Sequence, residues 1–229
     1  VPKEILHFAL FGLPGWDNSE GANRNSLLLD TIGNSIISTD EDIYASSTEL
    51  QKERSDTLTF SSQPDPSEIS LYPSETDLNH IISTIDIDII FEHEKLIGKS
   101  IQQLIEEFSR KSFYIDMKDI SSHLIDNLLQ SDRIVRAVGT GVYGDSGMGK
   151  PRYLISRMIK NLKYYGNTEQ QYRECIKNRT VLWGPPTTTI SESNYFRGGN
   201  ISLFNEELLP PFMPSGRNSV IIFSTLLVM

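Results

Sequence analysis

Three prolines in the stretch SSQPDPSEISLYPSE, residues 61–75, set the first limit on what this chain can fold into. Proline donates no backbone hydrogen bond, and at this spacing it interrupts a helix and bars a central strand. The stretch belongs to a longer segment, Asp17 to Asp77, dominated by Ser, Asp, Glu, Asn and Thr and including the acidic run STDEDIYASSTE. Only short apolar islands interrupt it: Leu27-Leu28-Leu29, Ile36-Ile37, Ile69 and Leu71. Such a segment cannot by itself bury enough surface to offset its ordering entropy. Residues 1–77 are therefore predicted to form an extended, largely irregular acidic arm lying along its own domain or a neighbouring subunit. The second option points to an assembly.

From Leu78 the pattern becomes regular. TIDIDIIF, Thr84 to Phe91, alternates Ile and Phe with Asp and predicts a half-buried strand. Leu96 to Phe108 aligns Ile97, Ile101, Leu104, Ile105 and Phe108 on one helical stripe. Phe113, Ile115 and Met117 alternate as a short strand. Ile120, Leu124, Leu128 and Leu129 mark a second helix, with Asp119 as its expected N-cap. Ile134 to Val138 reads as a strand and Leu154 to Tyr165 as a third helix. Thr180 to Trp183, Ile201 to Phe204 and Val220 to Val228 read as strands between Pro- and Gly-rich loops. Strands and helices do not alternate cleanly, so the expected class is α+β, a mixed or antiparallel sheet with about three helices. The domain is expected to span residues 78–229.

One cysteine, Cys175, excludes an internal disulfide and a Cys-based zinc cage, and points to a reducing compartment such as the cytoplasm, or to a virion. No apolar run approaches the roughly 20 residues of a membrane-spanning helix. The opening VPKEILHFALFGLPGW lacks the basic region and cleavage site of a signal peptide, and a start on Val1 suggests a processed or truncated terminus. The sequons Asn178-Arg179-Thr180 and Asn200-Ile201-Ser202 are read as chance occurrences.

VYGDSGMGKPRY, from Val142 to Tyr153, nearly spells a phosphate-binding loop: Gly144, Gly147, Gly149 and Lys150 fit G-x-x-x-x-G-K with an extra glycine. Pro151 stands where Ser or Thr would offer a hydroxyl to Mg²⁺ and a backbone N–H to phosphate. No acidic residue follows the downstream apolar strand TVLWGPP to hold the metal. The loop is therefore read as a glycine-rich turn, with a P-loop-like NTPase as the alternative.

Charge is divided unevenly. Residues 1–130 carry 9 Lys/Arg against 23 Asp/Glu, whereas residues 131–229 carry 12 against 7. Within the basic half, Lys150, Arg152, Arg157, Lys160, Lys163, Arg173, Lys177 and Arg179 accompany Arg133 and Arg136, with tyrosines interleaved. Such a tract suits RNA phosphates or an anionic membrane surface, or else pairs with the acidic half of this chain or the next. Asp86-x-Asp88 and Glu106-Glu107 are read as solvated faces. His7, His80, His93 and His123 lack metal-ligand spacing, and no nucleophile motif occurs. Arg197 beside Gly198-Gly199 is a candidate contact loop.

The expected function is a non-enzymatic structural or assembly subunit without metal or cofactor. It would pack against other protein subunits through its arm and its basic helix face. Virus-encoded matrix and capsid proteins share this layout.

Overall fold

The computed structural model describes residues 1–16, 19–41, 43, 48–50, 57–72, 74–80, 82–84, 88–109, 114–117, 119–130, 133–145, 167–178, 180–193, 199–216 and 219–228. Two helices open the chain, α1 (Lys3–Phe11) and α2 (Glu20–Asp30), followed by strands β1 (Asn34–Thr39), β2 (Thr48–Leu50), β3 (Thr57–Ser61) and β4 (Glu68–Tyr72). Next come α3 (Glu75–Asn79), β5 (Ile82–Thr84), α4 (Ile89–Glu94), α5 (Ile101–Ser109), β6 (Tyr114–Asp116) and α6 (Ser122–Leu128). The remainder holds β7 (Ala137–Gly139), β8 (Val142–Asp145), α7 (Glu169–Asn178), β9 (Thr180–Gly184), β10 (Thr188–Ser191), β11 (Asn200–Asn205) and α8 (Ser219–Val228).

The class is α+β, with antiparallel and parallel sheets side by side. Antiparallel β1–β11–β7 and β4–β9–β8 accompany a parallel sheet, β10–β3–β6, and the antiparallel pair β2–β5. Eight helices occur among the described residues, against about three expected.

Residues 1–77 are more regular than the irregular arm the composition predicts. The segment supplies α1 and α2, and β1, β3 and β4 pair with strands from beyond residue 77. The islands explain this: Leu28, Ile69 and Leu71 are buried, and Ile36 packs against the same core cluster as Leu28. Each is too isolated to make a core, yet each completes one begun elsewhere. The proline argument holds in part, because β4, which follows Pro64 and Pro66, is an edge strand.

The first core lies between β1–β11–β7 and the helices α2 and α8. Ile201, Leu203, Leu28, Leu209, Phe212 and Phe223 fill it, with Phe212 and Phe223 stacked 3.9 Å apart. β11 is covered on its other face as well: Ser202 meets His93 of α4, and the Phe204 ring lies against Gly98. A Cβ on Gly98 would come within 2.5 Å of that ring, and its φ of +71° is one that side chains rarely adopt. The second core sets Leu58 and Phe60 of β3 against Ile101 of α5 and Leu124 of α6, joined by Ile105, Phe108 and Ile190. A third, smaller cluster joins Tyr72, Leu78 and Ile82.

Four sequence expectations change. Within 84–91, Asp88 caps a helix instead of continuing a strand, accepting hydrogen bonds from the Ile90 and Phe91 amides. Ser121, not Asp119, caps α6 through the Leu124 amide, while Asp119 takes a φ of +57°. Val220 to Val228 is helix α8: Val220, Phe223, Ser224 and Leu227 recur at helical spacing on its inner side. α7 was not foreseen; it is mostly polar, with Tyr172, Cys175 and Ile176 its only apolar residues, and Glu169–Arg173 and Gln170–Glu174 contacts one turn apart support it. The helix expected over 154–165 lies outside the described residues.

Asn25 ties the two chain ends together. Its amide donates to the Ala9 and Phe212 carbonyls at 2.9 and 3.0 Å, and its oxygen accepts from the Phe212 amide at 2.7 Å. Asn25→Ala leaves these backbone groups without that partner in a buried site. Urea unfolding should report a loss of about 2–3 kcal/mol.

Candidate functional site

The glycine motif does not begin in a loop. Gly144 and Asp145 lie within β8, opposite Val181 and Thr180 of β9. Gly144 has a φ of +93°, and a side chain there would meet open space, so backbone conformation alone favours glycine. A phosphate loop leaves its strand before the first glycine, whereas this glycine sits inside an antiparallel ladder. Gly147, Gly149 and Lys150 lie outside the described residues.

Of the candidate polyanion contacts, Lys150, Arg152, Arg157, Lys160, Lys163 and Arg179 also lie outside them. Arg173 and Lys177 are exposed on α7. Arg173 is held by Glu169 at 2.6 Å, and a shallow hollow of about 450 Å³ along this helix is lined by Glu169, Gln170, Arg173, Glu174 and Lys177. Two carboxylates beside two cations make a mixed surface on α7.

Asn200 and Ser202 of the second sequon are buried in β11, so no glycosyltransferase reaches them in the folded chain. Asp88 is occupied as a helix cap, and Asp86 is outside the described residues. Among the described residues, no three His, Cys, Asp or Glu side chains are grouped to hold a metal ion. No helix among them is long and apolar enough to cross a membrane.

Two arrangements are assembled that the sequence did not announce. The first lies at the carboxyl ends of the parallel strands β3, β6 and β10, where ligands commonly bind in α/β sheets. Glu192, just after β10, lies 2.7 Å from His123 Nδ1 and accepts from the Asn127 amide, which also lies 3.5 Å from His123 Nδ1. Asp119, after β6, accepts from the Gln63 amide at 3.0 Å. A carboxylate that orients an imidazole through Nδ1 leaves Nε2 open to solvent, the arrangement of a proton-transfer pair. The His123 side chain is 70% exposed, however, so water screens the pair. The hydroxyls at this edge, Ser62 and Ser121, bond to each other at 3.0 Å instead of to the imidazole.

The second arrangement is apolar. α1 and α8 both pack against α2, and their outward sides stay hydrophobic. α1 has no buried residue; Ile5, Leu6 and Phe11 are exposed, Phe11 by 68%. Leu13 and Trp16 continue this surface, with the Leu13 amide anchored on Ser215 Oγ at 2.8 Å and Trp16 beside Gly216. On α8, Ile221, Ile222 and Leu226 are exposed around a helix that is apolar on nearly every side. A helix hydrophobic all round is normally covered on every side. Clustered exposed aromatic and aliphatic side chains mark an interaction surface more strongly than scattered ones do. Periodicity finds the inward stripe of a helix but not which outward residues its neighbours leave uncovered.

No protein-family model matches the chain, and no characterised protein or solved structure is significantly similar to it.

Asp119 offers a check on the geometry of the polar edge. Its left-handed conformation costs a residue with a Cβ about 1 kcal/mol relative to glycine. Asp119→Gly should therefore leave thermal stability unchanged or slightly raised, whereas Asp119→Val should lower it by about 1–2 kcal/mol.

Proposed function

We propose that this chain is a non-enzymatic structural subunit that joins a larger protein assembly through the apolar surface of α1 and α8. The observation that carries the reading is the exposure of Phe11, Trp16, Ile221 and Ile222 on elements that pack around α2. A buried large side chain contributes about 1.5–3 kcal/mol relative to an exposed one, so covering several of them drives association. The same surface carries Lys3, Glu4 and His7 on α1, a mixed set of charges that suits a protein partner better than an anionic lipid face. Matrix- and capsid-type shells are one class of assembly built from such subunits. The nucleotide-dependent alternative is less well supported, because Gly144 lies inside a strand ladder.

Light scattering on the purified chain tests the reading. The wild type should show a mass that rises with concentration above the 25.9 kDa of one chain. A Phe11→Asp, Ile222→Asp variant should stay at one chain's mass while keeping the far-UV circular dichroism of the wild type, because both residues are already exposed. A wild type that stays monomeric at every concentration, and that melts higher with ATP and Mg²⁺ only while Lys150 is intact, would replace this reading with the nucleotide-binding one.

A further inference from the structure

α4 is fastened to the body of the molecule in an unusual way. It is six residues long, and His93 is its buried residue, only 2% exposed, while Ile90 and Phe91 face solvent. The helix is thus held by an imidazole and not by an apolar stripe. His93 Nδ1 lies 2.5 Å from Ser202 Oγ on the outer face of β11. Its Nε2 is buried with no hydrogen-bond partner. The His93 carbonyl also accepts the Leu96 and Ile97 amides at 3.0 and 2.9 Å, which links the imidazole to the turn carrying Gly98 onto Phe204.

We propose that His93 is an acid-sensitive latch: protonation of its imidazole releases α4 and the turn after it from β11, in a step separate from unfolding of the rest of the chain. With its proton on Nδ1 the neutral ring donates to Ser202 and leaves only a lone pair at Nε2. The imidazolium has two N–H donors, and the one on Nε2 has no acceptor, so a charge and an unmade hydrogen bond enter the core together.

Among the described residues, nothing around the ring offsets that charge. On α4 and at its ends, Asp88 is engaged with the first amides of the helix, Glu92 pairs with Lys95, and Glu94 is exposed. In the following turn Lys99 pairs with Glu107 of α5 at 2.6 Å. β7 and β11 carry no titratable residue, and Arg136, which precedes β7, pairs with Glu207 at 2.9 Å. Burial accordingly pushes the His93 imidazole below its ordinary range.

The direction of the effect follows. Released, His93 takes up a proton near its ordinary pKa of about 6.5, while the latched form stays neutral to lower pH. The open state therefore binds more protons, and closure weakens as pH falls below about 6.5 until the latched imidazole itself titrates. With one proton involved, the opening equilibrium rises by at most about tenfold per pH unit.

Hydrogen–deuterium exchange on the full chain, corrected for intrinsic rates and followed from about pH 7.5 to about pH 5, tests the latch. Peptides covering 88–99 should lose protection severalfold to tenfold per pH unit below about 6.5, while the β11 amides keep theirs. His93→Gln, which keeps a polar side chain but cannot titrate, should remove that pH dependence. Ser202→Ala, which deletes the Nδ1 partner and keeps the imidazole, should increase opening at every pH, and it decides the matter should His93→Gln not fold. The proposal is overturned by an unchanged pH dependence in His93→Gln, by an unchanged opening in Ser202→Ala, or by all segments losing protection together.

Discussion

The burial of β11 on both faces is the constraint from which the rest of the structure follows. A strand covered on one side alternates apolar and polar residues, whereas NISLFN in β11 must satisfy two environments at once. Its Ile201 and Leu203 enter the core beneath α2 and α8. Its polar residues point into protein as well, and each needs a specific partner. Ser202 meets His93, and the Asn205 amide donates to the Leu28 carbonyl at 2.8 Å and to Thr31 Oγ1 at 3.0 Å. These bonds select one register. Sliding β11 by a residue would turn Ile201 and Leu203 toward α4 and carry Asn205 away from Leu28 and Thr31.

This strand also explains why the polar N-terminal third is not left outside. β1 pairs with β11 along its whole length, and the Gly33 amide donates to the Asn205 carbonyl. The partners of β11 come from residues 34–39 and 137–139 and its covers from α2, α4 and α8, so the fold closes only when distant parts of the sequence meet. The same holds for β3, which lies between β10 and β6 in a parallel sheet. Non-local pairings of this kind make folding slow, because loop closure precedes the contacts that compensate for it. A composition reading sees a segment too polar to form a core. It does not see that Leu58, Phe60, Ile69 and Leu71 are each completed by residues more than forty positions away.

What was legible in the sequence were the elements with an unambiguous period or a clear stop. The α5 stripe of Ile101, Leu104, Ile105 and Phe108, the strands β6, β9 and β11, and the α+β class all followed from spacing. The misread elements are those where two periods fit. In TIDIDIIF, Ile89 and Phe91 fit a strand, but Asp88 is also a strong helix cap, and local hydrogen bonding to its carboxylate decided the outcome. Val220 to Val228 is apolar at nearly every position, and such a run does not distinguish a buried strand from a helix. Packing beneath Phe212 decided that case. α7 carried the opposite difficulty: its apolar stripe is only Tyr172, Cys175 and Ile176, and the spacing of Glu169 to Arg173 is its other signal. The polar edge at Glu192 was not readable at all, since His123 and Glu192 are brought together by parallel strand pairing.

Interior and surface differ from the usual partition in a consistent direction. The chain has only 38% hydrophobic residues, yet it leaves Phe11 and Trp16 more than half exposed while burying Asn25, His93, Asn200, Ser202 and Asn205. Polar groups inside a core add little net stability, but they penalise every arrangement in which their partners are missing, so they define one structure among compact alternatives. Apolar groups outside do the reverse for the isolated chain, adding no stability until something covers them. The free energy that other domains draw from burying such side chains is here left available at α1 and α8. On the proposed reading, a partner closing over that surface would add the missing stability, and folding and association would be thermodynamically linked.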